Sequence, residues 1–183
     1  MHGLPVRRSI RMKGFDYRDA GAYFVTICTF RRACVLADVV DDRVSLTAVG
    51  SVVESAWRTI PGYFPHVDVD GYVVMPNHLH GILVLQDAHR AKHPPWADAS
   101  PLQPPRSKGT QPGSVPAVIQ TFKAISTRRF HALPGMKLNR LWQRGFYDHV
   151  IREKAELNRI RAYVEENPLR WALDPENLSG PFV

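Results

Sequence analysis

The run Val73-Val74-Met75-Pro76-Asn77-His78-Leu79-His80-Gly81-Ile82-Leu83-Val84-Leu85 constrains this chain more than any other stretch. Apolar, largely branched residues fill both alternations of its second half, the pattern of a strand buried on both faces. Such a strand demands a layered architecture, with something packed on each side of its sheet. Two histidines sit inside the run. Side chains on a strand alternate, so His78 and His80 point to one face and Leu79 to the other. Two imidazoles on one face are either half of a metal site or a pair of core histidines satisfied by hydrogen bonds. The pair alone does not choose.

The flanking sequence supplies the layers. Tyr23-Phe24-Val25-Thr26-Ile27-Cys28-Thr29-Phe30 is rich in β-branched and aromatic residues and reads as a strand, with Arg31-Arg32 at its end. Short extended pieces on either side of Asp41-Asp42 are expected to pair. Thr47 can cap a helix running to Ile60, with Val49, Val52, Val53, Ala56, Trp57 and Ile60 on one face. Val67–Met75 is a strand joined to the His-x-His strand by Pro76-Asn77, which implies a hairpin. Ser114 starts a second helix to about His131. Leu141–Ile151 reads as a fourth strand, and Glu153–Asn167 as a last helix ended by Pro168. The order is strand, helix, strand, strand, helix, strand, then an extra helix. That is the split β-α-β pattern of an α+β ferredoxin-like sandwich, an antiparallel sheet whose first and third strands are central. The additional C-terminal helix is available to cover the free face.

Length and composition set the frame. At 183 residues the chain can bury one substantial core. We read residues 1–22 as a basic arm, 23–172 as a single domain carrying a flexible Pro-rich loop over 86–114, and 173–183 as a tail. Seven of the fifteen prolines fall between residues 86 and 116, without apolar period. Net charge is +7 with pI near 9.7, and residues 1–32 hold seven Lys or Arg against two Asp. That balance suits a polyanionic partner, most simply nucleic acid. Two cysteines, Cys28 and Cys34, make no disulfide framework, and no apolar run is long enough to span a membrane. A cytoplasmic protein is expected.

A two-histidine site needs further ligands and something to do. With Leu157, Ile160 and Val164 centred on the buried side of the last helix, Tyr163 and Asn167 fall together on its flank, one turn apart, and Arg159 lies one turn earlier. Spacing equally allows Tyr163 as a boundary aromatic and Asn167 as a helix cap.

Four stretches in series then carry a family resemblance. Met75-Pro76-Asn77-His78-Leu79-His80-Gly81 resembles the His-hydrophobic-His strand of the single-tyrosine HUH transposases, and specifically their REP-associated tyrosine transposase branch. Asp16-Tyr17 with Gly21-Ala22-Tyr23-Phe24-Val25-Thr26, then Phe122-Lys123, then Trp142–Arg152 running on to Tyr163-Val164-Glu165-Glu166-Asn167-Pro168, agree with the same branch. Together they span most of residues 15–172. The resemblance implies a metal-dependent single-stranded DNA endonuclease and strand transferase. It implies Tyr163 as nucleophile, and His78, His80 and Asn167 as ligands of a divalent metal, Mg²⁺ or Mn²⁺. It also implies a 5′-phosphotyrosine intermediate, and a partner DNA that carries a hairpin resembling a repetitive extragenic palindrome. The protein would act as a monomer or homodimer in the cytoplasm, associated with the nucleoid. Arg31, Arg32, Lys123, Arg128, Arg129, Arg144 and Arg159 are the cations expected to hold DNA backbone. Competing readings are a zinc hydrolase using His78, His80 and a third ligand such as His149, and a non-catalytic hairpin-binding module. Tyr147 is a rival nucleophile, but it sits on a strand and lacks a polar partner one turn on.

Overall fold

The computed structural model describes residues 16–86, 110–136, 139–174 and 177. Most of the expected flexible loop, arm and tail lies outside these. In chain order the elements are β1 Gly21–Cys28, β2 Ala37–Val40, β3 Arg43–Leu46, α1 Ala48–Arg58, α2 Ile60–Tyr63, β4 Val67–Val74 and β5 His78–Leu85. They are followed by α3 Val115–His131, β6 Tyr147–Ile151 and α4 Lys154–Glu166. The main sheet is antiparallel throughout, in the order β4-β5-β1-β6. Strands β1 and β5 are therefore central, as the ferredoxin-like pattern requires.

Each face of this sheet has its own core. On one face Tyr23, Val25 and Ile27 of β1 join Leu79, Leu83 and Leu85 of β5 under α1 and α3, with Trp57 and Phe122 fully buried. Their rings meet edge-on at 5.2 Å. On the other face Phe24, Ile82 and Ile151 pack with Val164 of α4, and Leu157 and Ile160 lie against them. The apolar stripe of α4 is thus the cover that the second face needed, each fully buried aliphatic side chain contributing about 1.5–3 kcal/mol. Register fixes what lies under it: Thr26 faces His80, Phe24 faces Ile82 and Cys28 faces His78.

Local chemistry explains the connections. The Thr47 hydroxyl accepts from the Gly50 amide at 3.0 Å and so caps α1. Asp41 and Asp42 both take positive φ, 48° and 59°, which short polar side chains tolerate in a two-residue hairpin turn between β2 and β3. The Pro76-Asn77 link is held from outside its own hairpin. The Thr29 amide and hydroxyl both donate to the Asn77 carbonyl, at 2.9 and 3.0 Å, and the Leu36 amide donates to that of Pro76 at 3.0 Å.

Several boundaries differ from the sequence reading. β1 begins at Gly21 rather than Tyr23. The first helix breaks after Arg58, and α2 restarts at Ile60 with Pro61 in its first turn. The fourth strand begins at Tyr147, not Leu141: Trp142 makes an isolated bridge with Thr29. Between them the chain bows toward α3, where Lys123 Nζ donates to the carbonyls of Gln143 and Gly145 at 2.8 and 2.7 Å. Finally, α4 ends at Glu166 with Asn167 as its cap, as Pro168 implies, but the chain does not leave the helical path there. The chain tightens into a 3₁₀ helix over Asn167–Leu173, because Pro in a first turn forfeits no intrahelical donor.

A bulge between Val69 and Tyr72 re-aims β4. It presents Asp70 to α4, where Arg161 Nε donates to both carboxylate oxygens at 3.0 and 3.2 Å. Those hydrogen bonds hold the Asp70 carboxyl below its ordinary value. Gly81 is required by packing: a Cβ there would enter the Trp57 indole, and the ring has no free volume to yield. Gly81→Ala is expected to cost about 1–3 kcal/mol, measured by urea unfolding. Asp70→Asn should flatten the acid limb of the stability curve, because the wild-type pair contributes above the ordinary Asp range and is lost as pH falls through the lowered pKa.

Candidate metal centre and nucleophile

His78 and His80 are 0% and 3% exposed, on the α4 face of the central strand, with ring centroids 4.4 Å apart. Each ring is held through Nδ1. His78 Nδ1 lies 2.9 Å from Asn77 Oδ1, and His80 Nδ1 lies 2.9 Å from the Thr26 hydroxyl across the β1–β5 pair. An amide oxygen only accepts, so His78 carries its proton on Nδ1 and keeps an Nε2 lone pair. The same tautomer of His80 donates to Thr26. Holding the far nitrogen in this way is how proteins orient imidazoles that bind metals.

Both rings are neutral. Burial lowers each pKa to about 3. The charge of Arg32 adds to the effect at His78, and His78 itself adds to it at His80. His78 Nε2 is buried without a hydrogen-bond partner, 4.0 Å from a carboxylate oxygen of Asp174. Asn167 is 1% exposed. Its Nδ2 donates to Asp174 Oδ2 at 3.3 Å, while its Oδ1 is likewise buried and unpartnered. Ligand atoms of His78, His80 and Asp174 fall within 4.8 Å of one another. A buried lone pair with no donor costs free energy unless something fills it. Two imidazole nitrogens and a carboxylate oxygen this close together, with the orphaned amide oxygen of Asn167 beside Asp174, suit a divalent cation.

Tyr163 stands at the mouth of this cluster. α4 leaves it 39% exposed, its hydroxyl 3.4 Å from His80 Nε2. Phe24 fixes the arrangement, stacking on His80 at 5.2 Å and meeting the Tyr163 ring edge-on at 6.1 Å. Burial and the nearby Asp174 raise the phenol pKa, with Asn167 and Arg170 opposing. The Asp174 carboxyl is also raised, by burial first.

The structure thus brings together His78, His80, Tyr163 and Asn167, and adds Asp174, which sequence reasoning missed. Its route to the site is the 3₁₀ helix that follows Asn167, and Pro168 signals a helix end rather than a return. Trp171, on the same turn, lies 6.0 Å from His78. Other candidates are elsewhere. His149 Nε2 meets Glu156 Oε1 at 2.8 Å, so it does not complete the cluster as the zinc-hydrolase reading needed. Tyr147 is on edge strand β6, 44% exposed. Arg31 and Arg32 take φ of 55° and 57° in the turn after β1, conformations that cost non-glycine residues energy and gather at functional sites. Arg32 is close enough to act on both His78 and Asp174. Lys123 uses its ammonium on backbone carbonyls, and burial lowers its pKa to about 8. Arg128 and Arg129 lie on α3, in the opposite layer; Arg144 and Arg159 are exposed.

No protein-family model matches the sequence. Among solved structures, a REP-associated tyrosine transposase bound to a REP hairpin superposes with a TM-score of 0.55 at 18% identity, over 82% of this chain and 68% of the other. A Deinococcus radiodurans protein provisionally described as a transposase aligns less closely, with a TM-score of 0.48 at 19% identity over 85% and 95% of the two chains. The fold is that of a REP-associated tyrosine transposase. An uncharacterized protein of Haemophilus influenzae is 34% identical over 172 residues, 94% of this chain and 93% of its own length. The chain belongs to one family with that protein.

The buried neutral imidazoles make a pH prediction. Unfolded histidines take up protons near pH 6.5, whereas these two resist until about pH 3. The unfolded state therefore binds more protons between those values, and stability falls as pH drops through that window. Urea melts of the metal-free protein from pH 8 to 4 should show this slope, and His80→Asn should reduce it.

Proposed function

We propose that this protein is a metal-dependent single-stranded DNA endonuclease and strand transferase, with Tyr163 as nucleophile at hairpin-associated sites. The observation that carries the reading is the Tyr163 hydroxyl, 3.4 Å from His80 Nε2, at the mouth of a cluster whose His78 Nε2 and Asn167 Oδ1 have no hydrogen-bond partner among the described residues. His78, His80, Asp174 and Asn167 would hold the cation. When bound, Mn²⁺ or Mg²⁺ would supply charge neutralisation to a phosphodiester oxygen.

The chain's own residues do the rest. Tyr163 lies on a helix pinned to β4 by Arg161 and Asp70, so its oxygen is held in place rather than carried on a loop. An ordinary phenol is almost wholly protonated at pH 7, and this one is raised further. Its proton must leave as the oxygen attacks, and loss of that proton is favoured by any cation held beside it. Attack on phosphorus breaks the bond to the 3′ oxygen and forms a 5′-phosphotyrosine, releasing a free 3′-OH. The ester preserves the bond energy, so the 3′-OH of another strand can attack it, restore the phenol and join the DNA. Arg32, half-buried and close enough to act on His78 and Asp174, would offer a fixed cation to the phosphate as it arrives. The hairpin held by the REP-associated neighbour motivates hairpin DNA as substrate.

The test mixes purified protein, Mn²⁺ and labelled single-stranded hairpin oligonucleotides, then resolves covalent adducts on a denaturing gel. The adduct should vanish with Tyr163→Phe, His78→Ala or chelator and persist with Tyr147→Phe. An adduct that survives Tyr163→Phe overturns the assignment. In calorimetry, Asp174→Ala should weaken Mn²⁺ binding about tenfold or more, the usual scale for losing a supporting ligand, and His78→Ala should abolish it.

A further inference from the structure

The helical layer carries a second feature that the metal centre does not use. Where α2 meets α3, Tyr63, Gln120, Thr121, Ile125, Arg128 and Arg129 line a concavity of about 450 Å³. Tyr63 is 55% exposed, so its ring is held at the rim in water rather than spent on the core. Arg128 is exposed, and Arg129 is steadied by donating to the Ser55 hydroxyl at 3.2 Å. Among the described residues neither Asp nor Glu lines the concavity, so none of these neutralises the two guanidiniums. Ile125 supplies an apolar floor, Gln120 and Thr121 an amide and a hydroxyl.

An aromatic ring flanked by unneutralised guanidiniums is what an unpaired nucleotide needs: a face on which the base stacks, and cations for its phosphates. An acidic peptide would use the cations but gain little from the ring. The location matters equally. α1 and α3 cover the Leu79 and Leu83 face of the sheet, whereas His78 and His80 open on the opposite face, beside Tyr163. A strand lying here is not the strand presented to the nucleophile.

We propose that the Tyr63–Arg128–Arg129 concavity is a second binding site for unpaired nucleic acid, separate from the catalytic centre. Tyr63 stacks one base, and Arg128 and Arg129 hold the phosphates on either side. The proposal rests on the single-stranded DNA reading only for its choice of ligand, and requires neither metal nor cleavage.

The experiment uses the full chain in EDTA and a fluorescein-labelled fifteen-residue oligothymidine carrying one photoreactive 5-iodouracil. Cross-linking followed by peptide mass spectrometry should place the nucleotide on Tyr63. By anisotropy, Tyr63→Ser should bind about tenfold more weakly, and Arg128→Ala should lower the salt slope by about one. An abasic strand should not distinguish Tyr63→Ser from wild type. Both residues are at the surface, so thermal melts should be unchanged. Adduct formation through Tyr163 on a strand too short to reach both faces should persist in Tyr63→Ser. The proposal is overturned if no cross-link forms at Tyr63 and both variants bind within twofold of wild type. It is overturned equally if poly-glutamate displaces the strand as well as unlabelled oligothymidine does, which would mark an acidic protein surface. If cross-link and anisotropy behave as expected but wild type forms no adduct, only the catalytic reading fails.

Discussion

Two imidazoles can be buried side by side only if neither is charged and each has somewhere to put its one N–H. That constraint organises this molecule. Burial keeps His78 and His80 neutral, and the register of β1 against β5 sets Thr26 opposite His80. The hairpin link sets Asn77 beside His78. A slip of one residue between the central strands would turn both rings into the α1/α3 core and strand their nitrogens there. The tight hold that Thr29 has on Asn77 therefore secures more than a turn. It secures the registry on which the tautomers depend.

The second dependency is on α4. A ferredoxin-like sheet needs helices on one face only, and a protein with nothing to do on the other could leave it polar and wet. Here that face carries Phe24, Ile82 and Ile151, which α4 covers through Val164. The same apolar stripe that hides this small core rotates Tyr163 toward His80 and delivers Asn167 to the cluster. Stability and chemistry thus share one helix. The Asp70–Arg161 clamp from the bulged β4 then sets where along the sheet that helix lies.

Charge is distributed in keeping with this division. Arg32, close enough to act on His78 and Asp174, lies with Arg31 in a left-handed turn at the end of a central strand. Arg128 and Arg129 lie on the far layer, and Lys123 is turned inward to hold the chain before β6. The basic character of the chain is not one uniform field. It divides into a part beside the His78–His80–Asp174 cluster, a part on the helical layer, and one cation that holds the backbone before β6.

Much of this was legible in the sequence. Alternation placed His78 and His80 on one face and Leu79 in the core. The 3.6-residue period placed Tyr163 and Asn167 on one flank of α4, and the order of elements determined the sheet topology. These succeed because period and element order are local properties, written in neighbouring residues. What the sequence could not settle was anything that depends on where chain segments meet. Asp174 reaches the cluster only because a proline-led 3₁₀ turn carries it back, and His149 is lost to it because Glu156 lies nearer. Lys123 reaches the carbonyls of Gln143 and Gly145 because the chain before β6 bows toward α3. The His-x-His pair was chosen by sequence as a half-site. Tertiary structure decided that the two rings meet a carboxylate and a phenol and that His78 Nε2 has no hydrogen-bond partner among the described residues, since only the packed sheet and helix determine which groups come together.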